Sequence, residues 1–201
     1  MYSLTQTVAP TSLPVSLDEA RRHLAIEDNS HDVALLEQYI PAAVHMFESQ
    51  TGRQLISATW TLTLNSFPSS STLGIKLPLG QFRFLTSIDY STESNECVDV
   101  DLDNVRTRGG ADRTQILAAS SIGWPSPSET IEQVNVTWVC GWTSATIPPN
   151  VKQGILLLVA NYFEQREPIL VGVASRAIEH SLDAIYQNWR LGDEFRHNPC
   201  G

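Results

Sequence analysis

The stretch that most constrains the fold runs from Ile147 to Pro168, because it has the pattern of a helix that is apolar on almost every side. Its apolar residues recur at helical spacing in two stripes. One stripe contains Val151, Ile155, Leu158, Val159 and Tyr162, and the other contains Leu156, Leu157, Ala160 and Phe163. Such a helix must be covered on more than one side. We therefore predict a central helix near 150–166, capped by Asn150 and ended by Pro168.

Two further helices precede it in the sequence. The first, near 16–25, begins with a capping box, in which Ser16 caps the helix while Glu19 reaches back to the Ser16 N–H. The second, near 31–51, is apolar along much of its length, and Gly52 is a natural helix stop. Pro41 lies inside this second helix, removes one backbone hydrogen bond and is expected to bend it.

From Ala58 the apolar period changes from helical to two, which is typical of strands with one buried face. The pattern predicts an antiparallel β insert over about 58–142, with roughly five strands. The strands are expected around Trp60–Leu64, Ile75–Leu77, Thr86–Tyr90, Val98–Leu102 and Val134–Cys140. The first fourteen residues have the composition of a polar leader with little to pack. The predicted class is α+β: a small helical bundle with a β insert.

The C-terminal residues 168–201 are expected to form an arm with a short helix. Within it, Leu182, Ile185, Tyr186 and Trp189 line up at helical spacing with Ile178. Pro168 and Gly172 loosen the connection to the preceding helix. Two interpretations stay open: the arm reaches out to a partner, or it folds back onto its own domain. The sequence thus predicts one domain over 1–167 and an arm over 168–201.

Composition excludes several classes of protein. Thirteen basic and twenty-two acidic residues give a net charge of −9, which argues against a protein that wraps nucleic acid, although not against a channel wall past which DNA slides. The three cysteines are scattered and suggest no disulfide framework. The N-terminus lacks the pattern of a secretory signal, and the longest apolar run, 155–160, is far too short to span a bilayer. We expect a soluble protein made in the cytoplasm, with no membrane partner.

Catalytic chemistry finds little support in the residue pattern. The five histidines are single and far apart, and no nucleophile elbow, P-loop or dinucleotide fingerprint is present. The acidic run Glu96, Asp99, Asp101 and Asp103 alternates with apolar residues, which favours the solvated face of a strand over paired catalytic carboxylates. We predict that the chain is not an enzyme and has no cofactor or metal. The alternative is a small soluble enzyme, or another interaction module, with a site in the β insert.

Three segments, in order, carry a resemblance to a known family. They are PVSLDEARRHL over 14–24, IPAAVHMFESQTGRQL over 40–55 and IPPNVKQGILLLVANYFEQRE over 147–167. Together they resemble the head–tail connector proteins of tailed bacteriophages, also called adaptor or head-completion proteins, in the branch with a β insert between the second and third helices. The most specific pieces are Thr51-Gly52-Arg53 and Tyr162 with Glu164, Arg166 and Glu167.

This resemblance implies a structural virion protein at the head–tail junction. Twelve copies would form a ring below the portal protein, extend the channel for passing double-stranded DNA without binding it specifically, and offer a lower face to tail, stopper or nozzle proteins. It further implies a portal-docking set in the arm: Leu182, Ile185, Tyr186, Trp189 and Arg190. The candidate inter-subunit residues are Arg53, Glu164, Arg166 and Glu167, although a solvated arginine after a helix stop explains Arg53 adequately.

Overall fold

The computed structural model describes residues 2–69, 73–92, 96–119, 122–125, 133–164 and 174–192. Its helices are α1 (Leu17–Leu24), α2 (Asp32–Ala34), α3 (Ile40–Thr51), α4 (Pro149–Glu164) and α5 (Ala174–Trp189). Its strands are β1 (Tyr2–Val8), β2 (Ala58–Leu64), β3 (Ile75–Lys76), β4 (Phe82–Ser91), β5 (Cys97–Asp99), β6 (Val105–Arg108), β7 (Gln115–Ala118) and β8 (Val134–Cys140). These elements confirm the α+β class.

The chain divides into two compact units. The helical unit consists of Thr11–Ile56 and Trp142–Arg190, and the β unit consists of Met1–Pro10, Ser57–Gly141 and Leu191–Gly201. The boundary between a domain over 1–167 and an arm over 168–201 stays a prediction. Strand β1 belongs to the β unit, and α5 is part of the helical one.

Helix α1 has the capping box that the sequence predicts. The Glu19 N–H donates to Ser16 Oγ at 3.2 Å, and the Ser16 N–H donates to Glu19 Oε2 at 2.8 Å. The other oxygen of the same carboxylate accepts from Lys152 Nζ on α4 at 2.8 Å, a bond that holds the pKa of Glu19 below its usual range. One glutamate therefore both starts a helix and ties it to the central helix.

The second predicted helix, over 31–51, is interrupted where Pro41 disturbs its hydrogen bonds. A π-helical segment, Leu35–Tyr39, links α2 to α3, and the Ile40 N–H reaches the Leu35 carbonyl. Pro41 then falls in the first turn of α3 and has no N–H to donate to the Glu37 carbonyl. The expected disturbance is present, and it takes the form of a widened turn.

Helix α4 lies at the centre of the helical unit. It starts at Pro149, one residue before the predicted cap, and the Val151 N–H donates to Asn150 Oδ1 at 3.0 Å. Its inward side chains join a single hydrophobic core with the other helices. The fully buried members of this core are Val15, Ala20, Leu35, Ile40, Ala43, Phe47, Leu55, Val151, Ile155 and Val159. At Gly154, helix α4 lies close to α3, because a Cβ there would be only 2.9 Å from Phe47 Cε2.

The β unit contains two antiparallel sheets. The larger has the strand order β1-β2-β8-β4-β5, and the smaller has the order β3-β7-β6. The inward residues of both sheets form one shared core: Leu62, Leu64, Ile75, Leu77, Ile88, Ile116, Val134, Val136, Trp138 and Cys140. The opposite face of the larger sheet is polar, where the Thr61 and Thr137 hydroxyls lie 3.0 Å apart and Thr63 donates to Asn135 Oδ1 at 2.9 Å.

Three predictions for the β unit were wrong in detail. The N-terminal residues were expected to pack little, whereas Tyr2–Val8 forms β1 and pairs with β2 along its length. The main-chain ladder holds this strand, since nearly all its side chains are exposed. Within 58–142 the described residues form seven strands rather than about five, because β6 and β7 are four-residue strands of mixed composition. Leu102 lies in a 3-10 turn, Leu102–Asn104, instead of ending a strand.

Among the described residues, no helix has the length and hydropathy that crossing a bilayer requires.

Candidate functional site

The turn after α3 explains the Thr51-Gly52-Arg53 motif in structural terms. Thr51 is fully buried, and its hydroxyl donates to the Phe47 carbonyl at 2.8 Å. Gly52 has φ of 70°, a left-handed conformation that suits glycine, and its N–H donates to the Glu48 carbonyl at 2.8 Å. This sharp stop turns the chain so that the next side chain, Arg53, points back into the helical unit.

Arg53 lies between two tryptophans of its own chain. Its guanidinium carbon is 5.9 Å from the ring centroid of Trp142 and 5.5 Å from that of Trp189. The two indole rings meet edge to face, with centroids 5.5 Å apart. Arg53 Nε also donates to the main-chain carbonyl of Trp189, at the last residue of α5. We call Arg53, Trp142 and Trp189 the arginine–tryptophan cluster.

This cluster brings together residues that the sequence assigned to two different interfaces. Arg53 was a candidate inter-subunit residue, and Trp189 a candidate portal anchor. Arg53 is only 5% exposed, so its described contacts serve its own unit. The attraction between a cation and an aromatic face is stronger once both are removed from water. The cluster therefore holds the end of α5 against the helical unit. An inter-subunit role for Arg53 stays a prediction.

The other predicted docking residues of α5 also contact the helical core. Leu182 is buried, and Ile185, Tyr186 and Trp189 are partly buried against the same core. The Tyr186 ring lies 5.2 Å from that of Phe47. Burial, with a smaller effect from Tyr162 and then Asp183, raises the pKa of Tyr186 to about 12. Of the two interpretations the sequence left open, α5 has the folded-back arrangement.

The remaining candidate residues lie at the ends of helices. Arg190 follows α5 and is exposed, and Glu164 ends α4 and is exposed. Arg166 and Glu167 lie outside the described residues. Only Arg190 and Glu164 of the nine candidates thus have a described side chain that is open to solvent.

Sequence reasoning missed Glu48, which orders the loop after α3. Its Oε1 accepts from the Leu55 N–H at 2.8 Å and from Gln54 Nε2 at 2.9 Å. Burial raises the pKa of this carboxyl, against the opposing effects of the Leu55 bond and His45. The residue lies in a quoted motif, but nothing local indicates that a loop seven residues later folds back over it.

The β unit has a cavity of about 170 Å³. Its lining includes Tyr90, Asp99, Asp101, Val105 and Trp124. This volume is below the roughly 300–1,000 Å³ of typical small-molecule sites. The Asp101 carboxylate is already bonded to the Asp103 N–H at 3.0 Å and to Asn104 Nδ2 at 3.2 Å. The cavity therefore gives little support to a catalytic site in the β insert.

Among the described residues, no three or more His, Cys, Asp or Glu side chains are grouped so that they could hold a metal ion.

Comparison with family models supports the resemblance seen in the sequence. Residues 14–97 match the model of the family described as "Phage gp6-like head-tail connector protein". This match includes two of the three quoted segments and the first half of the β unit. The resemblance to head–tail connectors is thereby confirmed, and the matched family is one of structural proteins, not enzymes. Among curated proteins there is no significant sequence match.

Solved structures with the same fold come from a phage-like particle. A chain in "Neck of empty GTA particle computed with C6 symmetry" superimposes with a TM-score of 0.78 at 22% identity, covering 94% of this chain and 96% of that one. A chain in "Virion of native gene transfer agent (GTA) particle" gives 0.78 at 21%, covering 94% and 95%. A chain in "Neck of native GTA particle computed with C12 symmetry" gives 0.75 at 22%, covering 94% and 96%. At these identities the likeness establishes the fold.

Proposed function

We propose that this chain is an adaptor at the head–tail junction of a virion, where copies form a ring below the portal and extend the DNA channel. The observation that carries the proposal is a family match to head–tail connectors together with a fold shared along 94% of the chain with neck proteins. The twelvefold symmetry of one such neck supports a ring of twelve. Copies in such a ring meet through a heterologous interface whose rotation closes.

The surface charge fits a channel wall better than a nucleic-acid binder. A net charge of −9 repels phosphates, so packaged DNA passes with little adhesion. The isolated protein should therefore bind double-stranded DNA negligibly at moderate salt in a mobility-shift assay. Tight binding with a steep salt slope would count against the channel.

The C-terminal segment is the proposed contact with the portal. Leu182, Ile185, Tyr186 and Trp189 are engaged with their own unit, so docking through them requires those contacts to break. Gln187 and Arg190 are exposed and available without any rearrangement. An arginine at the end of a helix is a suitable interface anchor, because arginine is enriched among the residues that dominate binding energy.

The test is reconstitution with the portal of the same particle. The protein, mixed with purified portal and viewed by negative-stain electron microscopy, should appear as a ring attached to the portal, and it should co-sediment with it. The double variant Gln187→Ala and Arg190→Ala should keep its melting temperature and lose attachment. The matched control, Arg22→Ala with Gln153→Ala, changes exposed residues of α1 and α4 and should attach normally.

Particles made with the docking variant should stall as DNA-filled heads without tails. The adaptor proposal would be overturned if the wild-type protein stayed monomeric, did not bind the portal and bound a small molecule in the β unit. That result would favour the enzyme alternative.

A further inference from the structure

Charged residues in the β unit are segregated by strand. The strands of the smaller sheet contain Lys76, Arg106 and Arg108 and no acidic residue. By contrast, the segment 96–103 contains four acidic residues and no basic one. Both groups belong to the β unit, and they have charges of opposite sign. The chain as a whole has a net charge of −9.

The three cations lie on the outward face of the smaller sheet. Lys76 and Arg108 both stand opposite Gln115 across the two ladders, while the neighbouring Ile75 and Ile116 point into the core. Arg106 is two residues from Arg108 and shares its face. Both arginines are exposed, and Arg108 Nη2 donates to Gln115 Oε1 at 2.6 Å. We call Lys76, Arg106 and Arg108 the basic sheet face.

Among the residues that the structure describes, none neutralises the basic sheet face. In the described ranges, Lys76 and Arg106 form no ion pair, and the one side-chain bond of Arg108 goes to a neutral amide. Strand β6 is an edge of its sheet, so a partner can approach these side chains from the side as well as from above.

The acidic surface contains carboxylates that repel one another. Asp99 stands directly opposite Asp89 across the β4–β5 ladder, and like charges placed opposite each other destabilise a sheet. The Asp89 carboxylate is fixed in place by Asn135 Nδ2 at 2.8 Å. Glu96, Asp101 and Asp103 are exposed beside this pair. Strand β5 is one of the two edge strands of the larger sheet, and we call Asp89 with residues 96–103 the acidic edge.

We propose that the acidic edge of one copy docks on the basic sheet face of the next copy. This inference rests on the proposed ring and names the surfaces that set its register. The two surfaces differ, so the contact is heterologous and passes head to tail from copy to copy, as ring closure requires. A cationic neighbour would relieve the repulsion between Asp89 and Asp99. Complementary charges of this kind mainly supply orientation and specificity.

A second copy suits these observations better than DNA. DNA would neutralise the basic sheet face and leave the Asp89–Asp99 repulsion as it stands. A second copy satisfies both surfaces with one contact, and the chain carries both halves of it in one unit.

Charge reversal tests the contact in the full-length protein. One variant combines Arg106→Glu with Arg108→Glu, and the other combines Asp99→Lys with Asp103→Lys. Asp101 is left unchanged because its side chain holds the adjacent turn. Self-association is measured by sedimentation velocity between about 20 mM and about 500 mM salt, over which exposed charges become screened.

The wild type should associate at low salt and dissociate as salt rises. Each variant alone should associate at least about tenfold more weakly, because one of its surfaces now repels the other. An equimolar mixture of the two variants should associate again, since each reversed surface meets a reversed partner. Unchanged melting temperatures would show that each variant is folded.

The control combines Arg22→Glu, Gln153→Glu and Asn188→Glu at exposed sites of the helical unit. It lowers the net charge by four, as the arginine variant does, and should associate like the wild type. Association unaffected by either reversal overturns the docking and leaves the ring intact. No recovery in the mixture, or a wild type that stays monomeric at low salt, also overturns it, whereas the adaptor function is judged separately by attachment to the portal. DNA binding lost only in the arginine variant would reassign the basic sheet face to DNA.

Discussion

The two units place conspicuous arginine residues in opposite ways. In the helical unit, Arg53 and the aromatic residues of α5 are turned inward and hold the unit together. In the β unit, the core is aliphatic and aromatic, while Arg106, Arg108 and the acidic edge remain at the surface. Conspicuous residues in the sequence therefore mark internal contacts in one unit and available surface in the other.

This contrast teaches caution about aromatic stripes outside a predicted domain. An exposed apolar stripe is unfavourable for a free monomer, which is why α5 suggested a partner. The same unfavourable exposure is equally well removed by folding back, and α5 does so against Phe47 and Trp142. Surface function is better sought where charges lack partners.

The largest expected effect is the loss of the helical unit when a charge enters its centre. Leu158→Asp places a carboxylate in a site that is 5% exposed on α4, and it should destabilise the fold by more than about 4 kcal/mol. The helical signal in circular dichroism should fall and the melting transition should be lost. Gln153→Asp, exposed on the same helix, is the control and should melt like the parent. A parent-like melt for Leu158→Asp would show that α4 is not central.

A smaller effect is expected from opening the arginine–tryptophan cluster. Trp189→Ala removes the edge-to-face contact with Trp142 and the stacking of Arg53, and should cost about 2–3 kcal/mol in urea denaturation. Asn188→Ala changes an exposed neighbour on α5 and should cost less than about 0.5 kcal/mol. Equal stabilities for the two variants would mean that α5 is an independent arm, and the contrast between the units would fail.

The smallest effect concerns the buried carboxyl of Glu48. Burial raises the pKa of Glu48 in the fold, so this group favours folding below its unfolded pKa, and that contribution is lost as pH rises through the folded pKa. Glu48→Gln keeps an acceptor for the Leu55 N–H without the charge. At neutral pH it should match or exceed the wild-type stability by up to about 1 kcal/mol.

Glu48→Ala is the comparison variant, since it leaves the Leu55 N–H without its acceptor and should lose about 1–2 kcal/mol. Stability curves from acid to neutral pH should be flatter for Glu48→Gln than for the wild type. A steeper curve for the glutamine variant would contradict the raised pKa of Glu48.

The sequence by itself determined the features that arise from neighbours along the chain. Ser16 and Glu19 specify a helix start, and Gly52 specifies a helix stop, because capping involves groups within a few residues. The alternation in β2 and β8 and the apolar surface of α4 were equally readable, since side-chain period follows from backbone geometry.

Tertiary structure alone decided the contacts between distant segments. Arg53 and Trp189 are 136 residues apart, and each has a plausible solvent-exposed interpretation when taken alone. Strand β1 has nearly all its side chains exposed and exists because its main chain completes a ladder with β2. Lys76 and Arg108 share a face only through their common partner, Gln115. In each case the stabilising energy comes from burial or pairing with a segment far along the chain, and no local pattern encodes that partner.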